Sequence, residues 1–144
     1  MYPFYLELEP IKPVSDYFKK HGYKLRYEIK IGFCRADIVA FKDEKASAVE
    51  LKIFDWKKAI IQAKNYQLGC DYVYLAFPLL RVYNILRKAD FLLKKEGIGL
   101  LAINEKTCEV RKIINAKRSN KQMGRIYLEK IDKKLFRVSK HKFL

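Results

Sequence analysis

Three charged side chains stand out because they lie in strand-like segments that are otherwise apolar. Asp37 lies in one such segment, and Glu50 and Lys52 lie in the next. Strand residues two apart share a face, so Glu50 and Lys52 project from the same side. A hairpin over the short connection at residues 42–45 would bring Asp37 beside Glu50. Desolvated carboxylates are costly unless they are paired or bind a cation, so the cluster predicts a divalent-metal site.

The alternative to a metal site is a half-exposed hairpin whose polar face carries ordinary surface ion pairs. The segment after Lys52 argues against that alternative. Asp55 is a suitable N-cap for a helix from Trp56 to about Leu68. Gln62 and Tyr66 lie four residues apart and share one face of this helix. A buried strand at residues 71–77 follows, so the helix is expected to cross over the sheet. Gln62 and Tyr66 would then lie over the sheet as well.

In order and spacing these residues resemble the PD-(D/E)XK nuclease superfamily, in the branch with an added glutamine–tyrosine helix motif. That pattern is a strand bearing Asp, a strand bearing Glu-x-Lys and a helix bearing Gln-x-x-x-Tyr. The matching positions are Asp37, Glu50 with Lys52, and Gln62 with Tyr66. The resemblance extends from Tyr23 to about Phe77, with Ala36 where the family has a proline before its Asp.

The resemblance implies metal-dependent hydrolysis of DNA phosphodiester bonds. Asp37, Glu50 and the backbone carbonyl of Leu51 would bind Mg²⁺ or Mn²⁺, ions that suit hard oxygen ligands. Sites in the family often have a further acid. Glu28, on the polar face of its strand, is the first candidate for it, and Glu9 is the second.

The other motif residues complete the catalytic set that the resemblance implies. Lys52 would position the attacking water or stabilise negative charge in the transition state. Gln62 and Tyr66 would orient the site or contact the substrate backbone. The sequence leaves the substrate open: branched DNA, DNA ends, single strands, a restriction site or RNA.

The pattern along the whole chain predicts an α/β fold with a mixed central sheet flanked by helices. Helices are expected at residues 10–20, 56–68 and 81–95, and strands at 25–31, 36–41, 48–53, 71–77, 98–103 and 107–113. In the first strand, Leu25, Tyr27, Ile29 and Ile31 are expected to share the apolar face. The resemblance implies a restriction-endonuclease-like core (α-β-β-β-α-β). With 144 residues and 50% hydrophobic content, the chain suits one domain over 1–144.

The sequence favours an intracellular protein. No apolar run approaches the roughly 20 residues that span a bilayer, so no membrane partner is expected. Residues 1–4 lack the features of a signal peptide, and we expect a cytoplasmic location. Cys34, Cys70 and Cys108 are widely spaced and are expected to be free thiols.

Charge is the second indication of function. Lysine and arginine number 31 against 16 acids, giving +15. The extension from Arg111 to Leu144 has 12 basic and two acidic side chains, a net +10. A strongly basic surface is expected of a protein that binds nucleic acid. Around the acidic cluster, the candidate phosphate contacts are Lys24, Arg26, Lys30 and Arg35.

The basic extension also carries an apolar stripe. Ser119 or Asn120 would cap a helix to about Phe136. The stripe would pack on the sheet or on a second subunit, which makes a homodimer one option. It consists of Met123, Tyr127, Ile131 and Leu135, with Lys130, Lys133 and Lys134 among the basic residues around it. A membrane-surface helix has the same composition.

Two other classes of function fit parts of the sequence. One is a catalytically inactive nuclease fold that holds DNA, although such a protein need not keep Asp37, Glu50 and Lys52 together. The other is a surface for an acidic protein or a membrane. Nucleic-acid binding without cleavage in Mg²⁺ or Mn²⁺ would indicate the first, and no nucleic-acid binding would indicate the second.

If the basic extension contacts phosphates, the triple variant Lys130→Glu, Lys133→Glu and Lys134→Glu will bind all DNA sequences more weakly. The slope of log affinity against log salt will become shallower by up to about 0.9 per lost contact. Affinity measured at several salt concentrations checks this. An unchanged slope with unchanged affinity would remove these lysines from the DNA-binding surface.

Overall fold

A computed structural model describes residues 10–122 as a six-stranded mixed β-sheet flanked by three helices. In chain order the elements are α1 (Ile11–Lys20), β1 (Lys24–Ile31), β2 (Cys34–Lys42), β3 (Lys45–Leu51), α2 (Trp56–Tyr66), β4 (Tyr72–Pro78), α3 (Leu79–Glu96), β5 (Gly99–Ile103) and β6 (Val110–Ile114). The order of helices and strands is the predicted one, so the predicted fold class is confirmed.

The sheet combines antiparallel and parallel pairing. Its strand order is β1-β2-β3-β4-β5-β6. β1, β2 and β3 form an antiparallel meander, β3, β4 and β5 are parallel, and β6 pairs antiparallel with β5. α2 and α3 contribute to one apolar cluster and α1 to the other, so both faces of the sheet are covered. Both faces of the parallel strands are therefore buried, and these strands are apolar throughout.

Local sequence signals set several of the boundaries. The Asp55 carboxylate accepts a hydrogen bond from the Lys58 N–H at 3.0 Å and caps α2 as predicted. α3 ends at Gly97, which has a φ of 74°, a left-handed conformation that glycine adopts readily. β3 starts three residues earlier than predicted because β2 and β3 are joined by a two-residue turn. Asp43 and Glu44 both have positive φ there, 51° and 69°, as in a type I′ turn.

The prediction that the alternating residues of β1 share a face is wrong. Leu25 lies in the cluster with α1, and the Tyr27 hydroxyl donates to Ser15 of α1 at 3.0 Å. Ile29 and Ile31 instead lie in the cluster with α2 and α3. Glu28 lies between the two pairs and has a φ of 51°. This irregular residue rotates the strand, so the apolar side changes face midway.

β2 changes face at the corresponding position. Ala36 belongs to the cluster of α2 and α3, whereas Ile38 belongs to the cluster of α1. Asp37 lies between them and, by register, opposite Glu28. Irregular pairing of this kind re-aims side chains and is frequent beside active sites.

Predictions for the C-terminal extension are tested only at its start. Ser119 to Gln122 are not helical, so the predicted helix does not begin at Ser119 or Asn120. The Ser119 hydroxyl instead donates to the Gln67 carbonyl at 2.9 Å and ties this segment to the end of α2. The rest of that helix, including Lys130, Lys133 and Lys134, lies outside the described residues, as does Glu9.

Two further sequence predictions concern cysteines and membranes. Cys34, Cys70 and Cys108 are free thiols, as predicted. Among the helices within residues 10–122, none is long and apolar enough to cross a membrane.

The hairpin between β1 and β2 is held against α2. Its two-residue turn is Gly32-Phe33, and Gly32 has a φ of 59°. Asn65 of α2 accepts a hydrogen bond from the Phe33 N–H at 3.2 Å and donates to the Ile31 carbonyl at 2.6 Å. A Cβ atom at Gly32 would overlap the Asn65 side-chain oxygen. The turn therefore needs glycine for two reasons, its backbone conformation and its contact with Asn65.

We expect Gly32→Ala to destabilise the protein more than Gly22→Ala. Gly22 also has positive φ, but a Cβ there would meet only the end of the Lys42 side chain, at 3.7 Å. Gly22→Ala therefore costs only the backbone term, about 1–2 kcal/mol, whereas Gly32→Ala adds overlap and should cost about 2–4 kcal/mol. Urea unfolding of both variants measures the difference, and equal losses would show that Asn65 yields without cost.

Candidate active site

Asp37 and Glu50 lie opposite one another on β2 and β3. The ladder between these strands pairs Ile38 with Val49, and extending that register by one residue places Asp37 opposite Glu50. The Asp37 carboxylate accepts a hydrogen bond from the Leu51 N–H at 2.7 Å. The predicted hairpin therefore brings Asp37 to the Glu50-Leu51 segment, and this contact fixes its carboxylate.

Glu50 is buried, with an exposure of 4%. Its Oε1 lies 2.6 Å from the Tyr66 hydroxyl, and its Oε2 lies 3.6 Å from the Lys52 Nζ. Lys52 follows the last residue of β3, and its N–H donates to the Ala76 carbonyl at 3.0 Å, which prolongs the parallel pairing. Lys52 is itself only 7% exposed, so the ammonium and the carboxylate are largely removed from solvent together.

The surroundings of Glu50 disfavour its charged form. Burial, followed by repulsion from Asp37, raises the pKa of Glu50 from 4.5 to about 7. The hydrogen bond from Tyr66 and the charge of Lys52 act in the opposite direction and are too weak to offset the rise. A carboxylate whose charge is not fully compensated in this way is a good ligand for a cation.

Tyr66 links α2 to both motif strands. Its hydroxyl lies 2.8 Å from the Arg35 carbonyl on β2 as well as 2.6 Å from Glu50 on β3. A phenol has one proton to donate, so the Arg35 carbonyl and the Glu50 carboxylate share the Tyr66 hydroxyl as donor. Burial and the nearby Glu50 raise the pKa of Tyr66, which stays protonated. Tyr66 is fully buried, so it orients Glu50 and does not contact substrate.

Gln62 lies one helical turn before Tyr66 on the same face. Its side-chain oxygen is buried and has no hydrogen-bond partner within residues 10–122. Buried polar atoms are normally hydrogen-bonded, and the side-chain oxygen of Gln67, outside the motif, is unsatisfied in the same way. The role of Gln62 in the site stays a prediction.

A cation at this site would have two carboxylates, those of Asp37 and Glu50. Within the described part of the chain, no three His, Cys, Asp or Glu side chains form a group that could hold a metal. Glu28 is exposed and does not complete such a group with Asp37 and Glu50. Mg²⁺ commonly takes one or two carboxylates and fills its octahedron with water and substrate phosphate. Asp37, Glu50 and the Leu51 carbonyl stay the predicted ligands, with no third acid beside them among the described residues.

The four basic residues predicted to surround the site do not converge. Lys30 and Arg35 are direct cross-strand partners near the tip of the β1–β2 hairpin. Lys24 begins β1 and pairs with Phe41, at the opposite end of the strands. Arg26 lies between them and donates to the Leu25 carbonyl at 2.9 Å. By register Arg26, Lys30 and Arg35 each lie two residues from the position of Asp37, and Lys24 lies four residues from it.

Sequence reasoning gave Asn65 no role, although it holds the hairpin beside the site. One signal was available, because asparagine disfavours helix interiors and usually has a side-chain contact when it lies there. Phe54 and Arg81 were also missed. The Arg81 guanidinium lies 4.4 Å from the Phe54 ring centre, at the strand ends where Lys52 lies. No spacing in the sequence indicates that contact.

The fold resembles three solved structures. An XisH family protein from Nostoc punctiforme is 20% identical, with a TM-score of 0.57 over 72% of this chain and 97% of that one. An fdxN element excision controlling factor protein from Anabaena variabilis is 21% identical, with a TM-score of 0.57 over 73% and 97%. SPO1766, a protein of unknown function from Silicibacter pomeroyi, is 17% identical, with a TM-score of 0.60 over 96% and 86%.

These likenesses show a shared fold. No protein-family model matches the sequence, and no curated protein matches it. The XisH and excision-factor structures are covered almost completely, so their fold corresponds to about three-quarters of this chain.

We expect Glu50→Gln to change how stability depends on pH in metal-free protein. Since the folded pKa of about 7 exceeds 4.5, Glu50 contributes stability that is fully present below pH 4.5 and lost as pH rises through 7. The loss is about 3 kcal/mol at 1.36 kcal/mol per pKa unit. Glu50→Gln should remove this part of the decline, which urea unfolding in EDTA at pH 5 and pH 8 would show.

Glu109→Gln, at an exposed position, is the matched control and should keep the wild-type pH dependence. Adding Mg²⁺ or Mn²⁺ at pH 8 should stabilise the wild type more than Glu50→Gln, because the ion binds the folded state only. Equal stabilisation of both proteins would mean that the ion binds elsewhere.

Proposed function

We propose that the chain is a divalent-metal-dependent nuclease of the PD-(D/E)XK type that hydrolyses phosphodiester bonds in DNA. The observation that carries the proposal is the buried Glu50, which contacts Tyr66 and Lys52 and lies opposite Asp37. Three separate motif segments meet at this one side chain. A surface ion pair does not need such an arrangement.

The proposed metal ligands are Asp37, Glu50 and the Leu51 carbonyl. Mg²⁺ or Mn²⁺ bound there would supply an activated water and stabilise negative charge on the phosphate. The protein's own contribution is to hold the ligands in place. The Leu51 N–H orients the Asp37 carboxylate, and Tyr66 orients Glu50. Carboxylates that are already held in position need little rearrangement during the reaction.

Lys52 is the proposed catalytic cation. Its ammonium lies beside Glu50 in a largely buried position, where a charge acts more strongly than in water. There it can orient the attacking water or stabilise the non-bridging oxygens of the phosphate in the transition state. Gln62 would help to hold water or substrate through its unsatisfied oxygen.

DNA as partner and a cytoplasmic location belong to this proposal. The +15 net charge favours a polyanionic substrate, and Lys30 with Arg35 provides a basic pair close to Asp37. The excision-control name of one structural neighbour is consistent with a role in DNA rearrangement. The alternative is a catalytically inactive nuclease fold that binds nucleic acid, and the intact motif set argues against it.

We expect Asp37→Ala and Glu50→Ala each to abolish metal-dependent cleavage and leave DNA binding nearly intact. Lys52→Ala should lower turnover by on the order of 10²-fold or more, with an unchanged midpoint in a metal titration. Cleavage of linear, nicked, single-stranded, flapped and four-way DNA, with and without Mn²⁺, provides the assay. Lys58→Ala removes an exposed lysine from α2 and serves as the control for charge.

Each variant can contradict its assigned role. Wild-type cleavage by either acid variant would show that the residue is not a ligand. A large midpoint shift for Lys52→Ala, with full activity at saturating metal, would assign Lys52 to site assembly. DNA binding by the wild type without cleavage of any substrate would favour the inactive module.

A further inference from the structure

Phe33 is the most exposed large apolar side chain in residues 10–122, with 91% of its surface accessible. It is the second residue of the two-residue turn at the tip of the β1–β2 hairpin. The other side chains of β1 and β2 have an obvious place, in one of the two cores or among the charged surface groups. An exposed phenylalanine ring at a hairpin tip buries almost no apolar surface on folding, so it does not stabilise the folded state.

The backbone beneath this ring is firmly held. The Phe33 N–H and the Ile31 carbonyl both bond the Asn65 side chain, at 3.2 and 2.6 Å. Gly32 gives Asn65 the space to approach. Side-chain clamps from a helix to a hairpin tip are unnecessary for an ordinary surface turn. The clamp fixes the direction in which Phe33 projects.

The hairpin arms next to Phe33 are basic. Lys30 and Arg35 are direct cross-strand partners two residues from the tip on either side. The Arg35 guanidinium donates to the Glu28 carbonyl at 3.3 Å, a neutral acceptor that leaves its positive charge beside Lys30. An apolar ring flanked by two cations is complementary to a nucleic-acid strand, whose bases stack on aromatic rings and whose phosphates pair with cations.

The same charges disfavour a second copy of this chain as the occupant. A symmetric contact through the hairpin tips would place Lys30 and Arg35 against the same residues of the other copy. Such a contact would bring four positive charges together around two rings. Nucleic acid supplies the opposite charge and the flat apolar surface together.

The hairpin is linked mechanically to the candidate active site. Asn65 holds the tip, and the adjacent Tyr66 bonds both the Arg35 carbonyl and Glu50. Four residues separate Phe33 from Asp37 along β2, which is roughly 13 Å at the rise of a strand.

We propose that Phe33 stacks on an unpaired base, so the protein prefers DNA that offers unpaired bases over a fully paired duplex. The inference rests on the proposed function for its ligand, DNA, and adds the class of DNA structure. Lys30 and Arg35 hold the phosphates beside the stacked base.

Binding to a forked duplex and to a fully paired duplex of the same length, both in EDTA, tests the preference without cleavage. The wild type should bind the fork more tightly, and Phe33→Ala should lose roughly 10-fold in affinity for the fork and less than about 2-fold for the paired duplex. Phe91→Ala removes another exposed phenylalanine, 79% accessible on α3, and should behave as the wild type. Thermal melting of each variant confirms that it is folded.

A tryptophan at position 33 reports the contact directly. The chain has one tryptophan, Trp56, so the double variant Phe33→Trp with Trp56→Phe has a single fluorophore at the hairpin tip. We expect the fork to quench its fluorescence strongly and the paired duplex to quench it little. Phe33→Trp should also restore the affinity for the fork that Phe33→Ala loses.

The outcomes separate the two proposals. Phe33-dependent fork binding without any cleavage in Mg²⁺ or Mn²⁺ would support the inference and contradict the nuclease. Cleavage with the same fork preference in Phe33→Ala would support the nuclease and overturn the inference. Equal affinity of the wild type for fork and duplex, or no DNA binding, would overturn the inference outright.

Discussion

Glu50 is almost completely removed from water, and the hydroxyl of Tyr66 is the contact that holds it there. Burying a carboxylate costs several kcal/mol unless hydrogen bonds and opposite charge offset the loss of hydration. Tyr66 at 2.6 Å and Lys52 at 3.6 Å supply part of that compensation, while Asp37 acts against it. The raised pKa shows that the compensation is incomplete. Burying Glu50 in this way lowers the free energy of unfolding at neutral pH. A cation bound between Asp37 and Glu50 would raise it again.

The position of Tyr66 depends on how closely α2 approaches the sheet. Ala63 and Ala59, which lie one and two turns before it on the buried side of α2, have no exposed surface. Small side chains allow a helix to lie close to its neighbour, which brings the phenol within reach of β2 and β3 together. The next residue, Asn65, reaches the β1–β2 hairpin from the same turn of helix. One helix end thus sets both the geometry of Glu50 and that of the hairpin tip.

The parts of this structure that follow periodic rules could be predicted from sequence. The N-cap at Asp55, the helix end at Gly97 and the order of strands depend on local spacing and residue type. The proximity of Asp37 and Glu50 follows from a hairpin register that a short turn fixes. Contacts between distant segments, such as Asn65 with the hairpin tip, depend on tertiary approach. Because the two segments are far apart in the chain, no local sequence pattern predicts their contact.

In β1 and β2 the alternation of side chains between the two faces of the sheet breaks down, and the position of the break is informative. β1 and β2 exchange faces at Glu28 and Asp37, and the ladder between β2 and β3 ends at Ile38 and Val49. Beyond that point the Leu51 N–H bonds the Asp37 side chain, which takes the place of a strand carbonyl. Positive φ at a residue such as Glu28 costs on the order of 1–3 kcal/mol and persists only where surrounding structure imposes it. Departures from local rules concentrate at functional sites. The interruption of regular pairing at Asp37 therefore adds a backbone observation, independent of any motif, in favour of the proposed site.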